Sequence, residues 1–527
     1  MMELGNYCFY IYIKQPKNKQ MKRIFLSAFL LVSLSLSAQN IDRKQVVERN
    51  NPHVVTMDSL NSLSVGNGGF AMTVDGTGLQ SFPKSYSKGV PLGTMSDWGW
   101  HSFANPENYK PEESWRYYDY GRGRKEPYAT QIKEDKRKKA AGDWYRVNPH
   151  RLHLGTLGLS LGSDPKNIQQ VNQILDMWDG MIKSSFIYHG RAYQVETTCH
   201  PELDMIATHV QSKGSIAFDI RFAYPTGGHC DDACDWNKDH LHSTMLVSQD
   251  KNSAVLKRTI DETVYFVMLR WQGTAKLKQK GKNFYQLQSK SADLKLTCEY
   301  AEQLSSENRT FAEVADAAKA YWNRYWQKGA MVDFGQCKDP RAQEMERRVV
   351  LSQYLLAIQD AGETPPQETG LTYNSWFGKF HLEMILWHQA QFALWGHPEL
   401  LERSLSWYFK AEPNARKIAR RQGFKGVRWM KMTDPDAGEA PSSVGSFLIW
   451  QQPHLIYLAE LLYRADPSPA ILQKYAKLVD ETAEFMGDFA EYDKEKDRYI
   501  LRGCIAAQET LPAATTVNPP FELSQWH

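Results

Sequence analysis

Apolar positions between about residues 53 and 305 come in short runs rich in β-branched and aromatic side chains: Gly69–Val74, Leu152–Leu161, Ile182–Tyr188, Tyr193–Thr198, Ala217–Ala223 and Thr263–Trp271. Clusters of Gly, Asn, Asp and Lys separate them, the pattern of a large antiparallel sandwich. The stretch 96–150 breaks this pattern. It is rich in Trp, Tyr, Arg, Lys and Gly, has little periodicity, and predicts a long excursion over the surface. Near 306 the period becomes helical. Thr310–Gln327 carries apolar residues at helical spacing behind Thr310 as N-cap. Further helices are predicted over 340–361, 379–396, 398–410, 413–422, 453–465 and 468–488. The architecture is thus a β-sandwich, a helical linker and an all-α region, with no internal repeat of fixed period.

Two of these helices are unusual. Phe380–Trp395 is apolar nearly all round, with Glu383 as its sole formal charge, which predicts burial on every face. A carboxylate buried there costs several kcal/mol unless it is paired or hydrogen-bonded. Glu383 therefore reads either as a first-turn residue satisfied by the helix N-terminus or as a group lining a polar cavity. In Ser446–Tyr463, Pro453 is expected to open the main helix, with Gln451, Gln452 and His454 around its start.

Composition narrows the field. The 527 residues are 42% hydrophobic and 23% charged, a globular profile, and the net charge of +3 leaves no footprint for nucleic acid. The 16 Trp, 26 Tyr and 22 Phe suit a protein that stacks sugar rings, though they also fill cores. Met21-Lys22-Arg23, the apolar run Ile24–Leu36 and the small residues ending at Ala38 have the layout of a secretory signal peptide, with Met21 as the true start. Gln39 follows, not Cys, so no lipid anchor is indicated. No second run of 18 apolar residues follows, and the expected location is periplasmic or secreted. Of seven cysteines, six remain after the leader, sparse for the length. Cys230 and Cys234, with His229, His240 and His242 nearby, do not have a standard zinc spacing and read as a loop disulfide or free thiols. No calcium loop, phosphate-binding Gly loop or His-Glu-x-x-His is present, and neither cofactor nor metal is predicted. The chain divides into a leader (1–38), a β-sandwich domain (39–305), a helical linker (306–338) and a helical domain (339–527).

Several motifs carry a family resemblance. Leu63-Ser-Val-Gly-Asn-Gly-Gly-Phe70, Leu175-Asp-Met-Trp-Asp-Gly180, His200-Pro201, Phe380-His-Leu-Glu383 with His397-Pro-Glu-Leu400, and Gly423-Phe-Lys-Gly426-Val-Arg-Trp429 with Gly438-Glu439 resemble glycoside hydrolase family 65 and related six-hairpin glycosidases. That group includes acid trehalases, kojibiose hydrolases, and maltose and kojibiose phosphorylases. The resemblance implies an N-terminal β-supersandwich followed by an (α/α)6 barrel, and it is densest over 370–440. It departs from the family in two places. The spacing to Pro398 is two residues longer, and Met430 and Lys431 stand where the family has Pro-Trp.

The resemblance implies an inverting glycoside hydrolase acting on a short α-linked glycoside. Glu439 takes the place of the general acid, 13 residues after Gly426, and Glu383 falls near a sugar-binding Asp. Asp434 and Asp436 are expected to raise the proton affinity of Glu439 by like-charge repulsion. Inversion needs a second carboxylate as base. Glu509 and Glu522 are candidates, and the family pattern also allows one beyond His527. Glu509 falls where the family makes substrate contacts. Trp376 and Trp429 read as stacking platforms and Arg428 as a donor to hydroxyls, each equally readable as packing. A six-hairpin barrel needs twelve helices and the pattern yields six or seven, so the sequence reads as a truncated chain. The rivals are a glycoside phosphorylase, which export argues against, a non-catalytic carbohydrate-binding remnant, and a polysaccharide lyase, whose usual domain order is reversed here.

Overall fold

The computed structural model describes residues 41–506 and 511–527. The expected signal peptide and Glu509 lie outside the described residues.

The β half is built on a nine-stranded antiparallel sheet in the order His53–Val54, Ile168–Asp176, Met181–Tyr188, Arg191–Cys199, Met205–Ser212, Asp293–Ala301, Thr263–Gln272, Ser253–Ile260 and His242–Gln249. A four-stranded sheet (Ala275–Gly281, Phe284–Ser289, Ile216–Arg221, Thr156–Leu159) completes the sandwich. Alternation explains the burial. In Ser253–Ile260 every second residue is buried, including Ala254, Leu256 and Ile260. Arg258 falls on that inward face and is tolerated because it is fully hydrogen-bonded. It donates to the Ser243 carbonyl, Thr244 Oγ1, Asn283 Oδ1 and His242 Nδ1.

Two of the quoted motifs meet in space. The Asn67 amide donates to the carbonyls of His200 and Leu203, while its Oδ1 accepts from the N–H groups of Gly69 and Phe70. The turn at 176–180 receives the first long helix, Phe311–Lys328. Thr310 caps that helix in a capping box with Glu313. Trp326 Nε1 then donates to the Met177 carbonyl at 2.7 Å and Asn323 to that of Trp178 at 2.8 Å. Gly180 sits at φ +68°, and a Cβ there would lie 2.0 Å from the Trp322 ring.

The helical half holds Ala342–Gln359, Ile385–Leu394, Pro398–Leu405, Trp407–Arg421, His454–Ala465, Pro469–Phe489 and Pro520–Trp526. From Arg43 to His527 the chain is one compact unit. One cluster of buried side chains runs from Val46 through Trp326 to Leu478.

The structure corrects four expectations. The 380s helix starts five residues late. Phe380–His381 pairs instead with Met432–Thr433, and the Leu382 N–H continues the ladder to the Lys431 carbonyl. Nor is this helix buried on every face, since Trp387 is 52% and Leu394 63% exposed. Its neighbours break at Ser406, not between 410 and 413, and Pro413 lies inside Trp407–Arg421. Finally, 96–150 is not a mere surface excursion. It forms a hairpin (Trp115–Asp119, Lys125–Ala129) and a helix (Lys136–Val147). Tyr128 stacks on Phe447 with ring centroids 4.7 Å apart, and Arg122 bridges the buried Glu126 and Glu491 at 2.9 and 3.0 Å. All six cysteines in the described residues are free thiols. The Cys230 loop is held by backbone pairing, Cys230 with Ser375 and Asp231 with Asn374.

Candidate active site

Four chain segments from the two halves converge around Trp376. The first is the helical-half segment 374–384. Trp376 and Phe377 are both non-glycine residues with φ in the left-handed region, +48° and +64°, an arrangement that costs about 1–3 kcal/mol per residue and persists only where the surroundings impose it. Here backbone and side-chain hydrogen bonds impose it. The Phe377 N–H donates to the His229 carbonyl and the Asn374 amide to Gly228 O and Asp231 Oδ1. Gly378 follows at φ +72°, where a Cβ would lie 2.1 Å from that of Arg151.

The second segment is the Gly228–Asp231 loop of the sandwich. It places the His229 ring edge-on to Trp376, centroids 4.1 Å apart. The third is the Lys136–Val147 helix, whose Arg146 lies over the Trp376 and Phe377 rings at 5.7 and 5.8 Å and donates to the Pro441 carbonyl at 2.9 Å. From the fourth, Lys431 approaches the Trp376 ring to 4.6 Å and forms an ion pair with Glu383 at 3.0 Å, both side chains 9% exposed. Glu383 is therefore buried and paired just ahead of its helix, which satisfies the condition that the sequence imposed on it.

Glu439 belongs to the same patch. Thr433 pairs with Phe380 on one side and with Glu439 on the other. Lys431 immediately precedes that central strand. The carboxylate of Glu439 is 6% exposed and pairs with Arg421, whose guanidinium lies over the Trp115 ring at 4.8 Å. Among the described residues, Glu439 Oε1 and Arg421 Nε and Nη2 have no hydrogen-bond partner.

The two neighbouring carboxylates have partners of their own. Asp434 Oδ1 accepts the N–H groups of Asp436 and Gly438, closing its own turn, and a Cβ at Gly438 would strike Asp434 at 2.3 Å. Asp436 is exposed and pairs with Lys410 at 3.1 Å.

Local electrostatics disfavour extra cations. Burial, helped by Arg146 and Lys431, lowers the proton affinity of His229, with Glu368 opposing. Burial and then Lys431 push His381 down to about 3. Burial lowers Lys379 to about 8 against the pull of Asp434, and its ammonium donates to the Asn148 carbonyl.

The structure thus joins Trp376 and Glu383 through Lys431, sets Glu439 on the other side of the Met432–Thr433 strand with its carboxylate on Arg421, and places the other expected residues that it describes elsewhere. Arg428 is 1% exposed, donates to Gln422 Oε1 and the Ser446 carbonyl, and stacks on Tyr128. Trp429 is 2% exposed, its indole donates to Thr482, and its backbone is clamped by Gln451 and Gln452. Both have packing duties that leave them no face for a ligand. Glu522 is fully buried near Cys504, whose thiol is pushed up to about 12 by burial and by that neighbouring carboxylate. Arg146, His229, Arg421, Lys431 and Trp115 went unassigned in the sequence. Lys431 alone carried a signal, as the departure from the family motif.

No protein-family model matches the chain, and no curated protein matches it. Solved structures do. A protein assigned as a kojibiose phosphorylase from the human microbiome superposes with a TM-score of 0.61 at 10% identity, over 91% of this chain and 65% of its own. This chain therefore spans just under two thirds of that protein's length, and it shares its fold. Lower-scoring matches are a bacterial glucoamylase complexed with acarbose (TM-score 0.38, 11% identity, 58% of this chain and 48% of its own) and a family GH92 α-mannosidase from Bacteroides thetaiotaomicron (0.27, 8%, 67% and 58%).

Proposed function

We propose that the protein is a carbohydrate-active enzyme, an exported inverting glycoside hydrolase that cleaves a short α-linked glycoside with Glu439 as general acid. The helical half is the corresponding part of an (α/α)6 barrel, entered after the sandwich at 39–305 and the linker at 306–338, with residues 1–38 as the export leader. The observation that carries the reading is a set of two buried carboxylates in segments that flank the Met432–Thr433 strand: Glu383, ion-paired with Lys431 beside the half-buried Trp376, and Glu439, ion-paired with Arg421 next to its bridge with Thr433. Glycoside cleavage needs one carboxyl group to protonate the departing oxygen and another to activate water on the opposite face of the sugar. An aromatic plane beside them suits the apolar face of a pyranose. The shared fold with a protein assigned as a kojibiose phosphorylase agrees with the class.

Each residue has a part. Trp376 positions the ring, Glu439 delivers the proton through the oxygen that has no partner within the described chain, and Arg421 orients that carboxyl group. Lys431 fixes Glu383 against the platform. No metal or cofactor enters the reaction as proposed.

A phosphorylase is the second reading, favoured by one observation. Arg146, Lys431 and His229 surround Trp376 with donors that suit an inorganic phosphate. Incubating the protein with kojibiose, maltose, trehalose and nigerose, with and without inorganic phosphate, separates the two. Free sugars formed without phosphate, with the inverted anomer seen first by NMR, support the hydrolase. Sugar 1-phosphate formed only with phosphate supports the phosphorylase, and no turnover of any glycoside removes both.

A further inference from the structure

The sandwich carries a cleft that the proposed chemistry does not use. It has a volume of about 360 Å3, the lower end of the range for small-ligand sites. Its floor is the outward face of the four-stranded sheet. Along Ile216–Arg221 the residues Ile216, Phe218 and Ile220 point into the core, which leaves Asp219 and Arg221 on the cleft side, and Phe284 takes the matching position on the next strand. The walls are the Gln80–Ser85 segment, the Gly162–Ser163 turn and the loop bearing Trp236 and Asp239.

The polar groups on the floor are stiffened in advance. Asp219 accepts from Gln286 at 2.8 Å and from Arg221 Nη2 at 2.8 Å, and the Arg221 guanidinium also lies flat over the Phe284 ring at 4.2 Å. Ion pairing and stacking together hold a planar donor at the cleft floor, which lowers the entropy lost on binding. Asp239 is held in the same way by the Asn283 amide at 2.6 Å. Trp236 and Phe284 are half-buried and present apolar surface beside these groups. Charges of both signs are present, so the cleft has no single-sign field to select an anion.

We infer that this cleft is a second binding site, for a neutral saccharide, spatially separate from the Glu383–Glu439 patch and serving to hold substrate chains on the sandwich. Alternating apolar planes and fixed bidentate hydrogen-bonding groups match the alternating C–H faces and hydroxyl pairs of a pyranose. The inference takes its ligand class from the carbohydrate reading, but not its location.

The test uses the full chain with Glu439→Gln, so that sugars are not consumed, titrated calorimetrically with maltotriose, β-1,4-mannotriose and xylotriose, and with inorganic phosphate. At least one trisaccharide is expected to bind saturably. Trp236→Ala and Ser163→Trp, the latter filling the cleft from an exposed turn, are each expected to weaken it at least tenfold. Glu383→Gln is expected to leave the binding lost in those two variants unchanged, whatever it does to binding at the Trp376 patch. Far-UV circular dichroism confirms that each variant is folded, and Ser163→Trp keeps the test intact if Trp236→Ala is not. The inference is overturned if no trisaccharide binds, if phosphate alone binds, or if binding follows Glu383 and ignores both cleft variants. Glycoside turnover by the wild-type chain without cleft binding would defeat this inference alone. Cleft binding without turnover would sustain it and defeat the proposed activity.

Discussion

Arg421 holds one carboxylate oxygen of Glu439, and the other oxygen has no partner among the described residues. A buried carboxylate with half of its hydrogen-bonding capacity open is an expensive arrangement for a purely structural ion pair. It becomes economical when a substrate hydroxyl donates to that oxygen. Glu439→Gln is nearly isosteric and should leave the fold intact. The expected result is a loss of kcat of about 10²–10⁴-fold with saccharide binding retained, measured by turnover and calorimetry on the same preparation. A chain that only binds sugar would show no change in either.

Removing Arg421 acts on stability first. Arg421→Ala would leave the Glu439 carboxylate buried without its cation, a change worth about 3–5 kcal/mol in comparable pairs. Urea unfolding should therefore show a larger loss for Arg421→Ala than for the double variant Arg421→Ala/Glu439→Gln, in which no charge is stranded. Equal losses would mean that the pair contributes through packing alone.

Lys431 joins Glu383 to Trp376, and the two roles separate kinetically. Lys431→Met keeps the stem over the indole and removes the charge. The expected outcome is a rise in KM of about tenfold with a smaller change in kcat, because the platform remains and the orientation of Glu383 is lost. Trp376→Ala should raise KM further.

Gly180 sets the seat of the linker helix. Gly180→Ala combines a left-handed φ with a Cβ 2.0 Å from the Trp322 ring, and the expected cost is about 2–4 kcal/mol. Thermal unfolding checks it, and Gly190→Ala is the control, at a similar φ of +76° but with open space around the added Cβ.

His381 gives a pH signature with a definite sign. Its folded-state value of about 3 lies below the ordinary 6.5, so the unfolded chain takes up the proton first as the medium is acidified. Its contribution to stability is complete above pH 6.5 and is lost as pH falls through the window from 6.5 to about 3. The slope is about 1.4 kcal/mol per pH unit well inside the window. Urea unfolding of wild type and His381→Gln at pH 7 and pH 5 should show the variant losing less on acidification, whatever its stability at pH 7.

The regular elements were legible because their signals are local. Runs of β-branched and aromatic residues marked Met181–Tyr188, Arg191–Cys199, Ile216–Arg221 and Thr263–Gln272 within one or two residues, and Thr310 announced its helix through the capping box with Glu313. The 380s misled because apolar content was read as helical period. Phe380 and His381 are buried by strand pairing with residues fifty positions later, which no local pattern encodes. The 96–150 segment misled for a related reason, since Tyr128 and Glu126 are buried against the helical half rather than by any periodicity of their own. Of the proposed site, Glu439 and Glu383 were found through motifs and Trp376 as a candidate stacking platform. Arg146, His229 and Arg421 reach it from segments without one. Arg428 and Trp429 share a motif with the site, yet they face the helical core.

The contacts that shape the Trp376 platform join residues remote in the chain. Asn374 meets Asp231 across 143 positions, and Arg146 meets Pro441 across 295. Closing loops of that length is slow compared with forming either half's own hairpins and helices. Catalytic competence should therefore emerge as the last event of refolding, well after helix and strand content has returned. A nascent chain released before residue 441 would lack the Arg146–Pro441 contact and with it the finished platform.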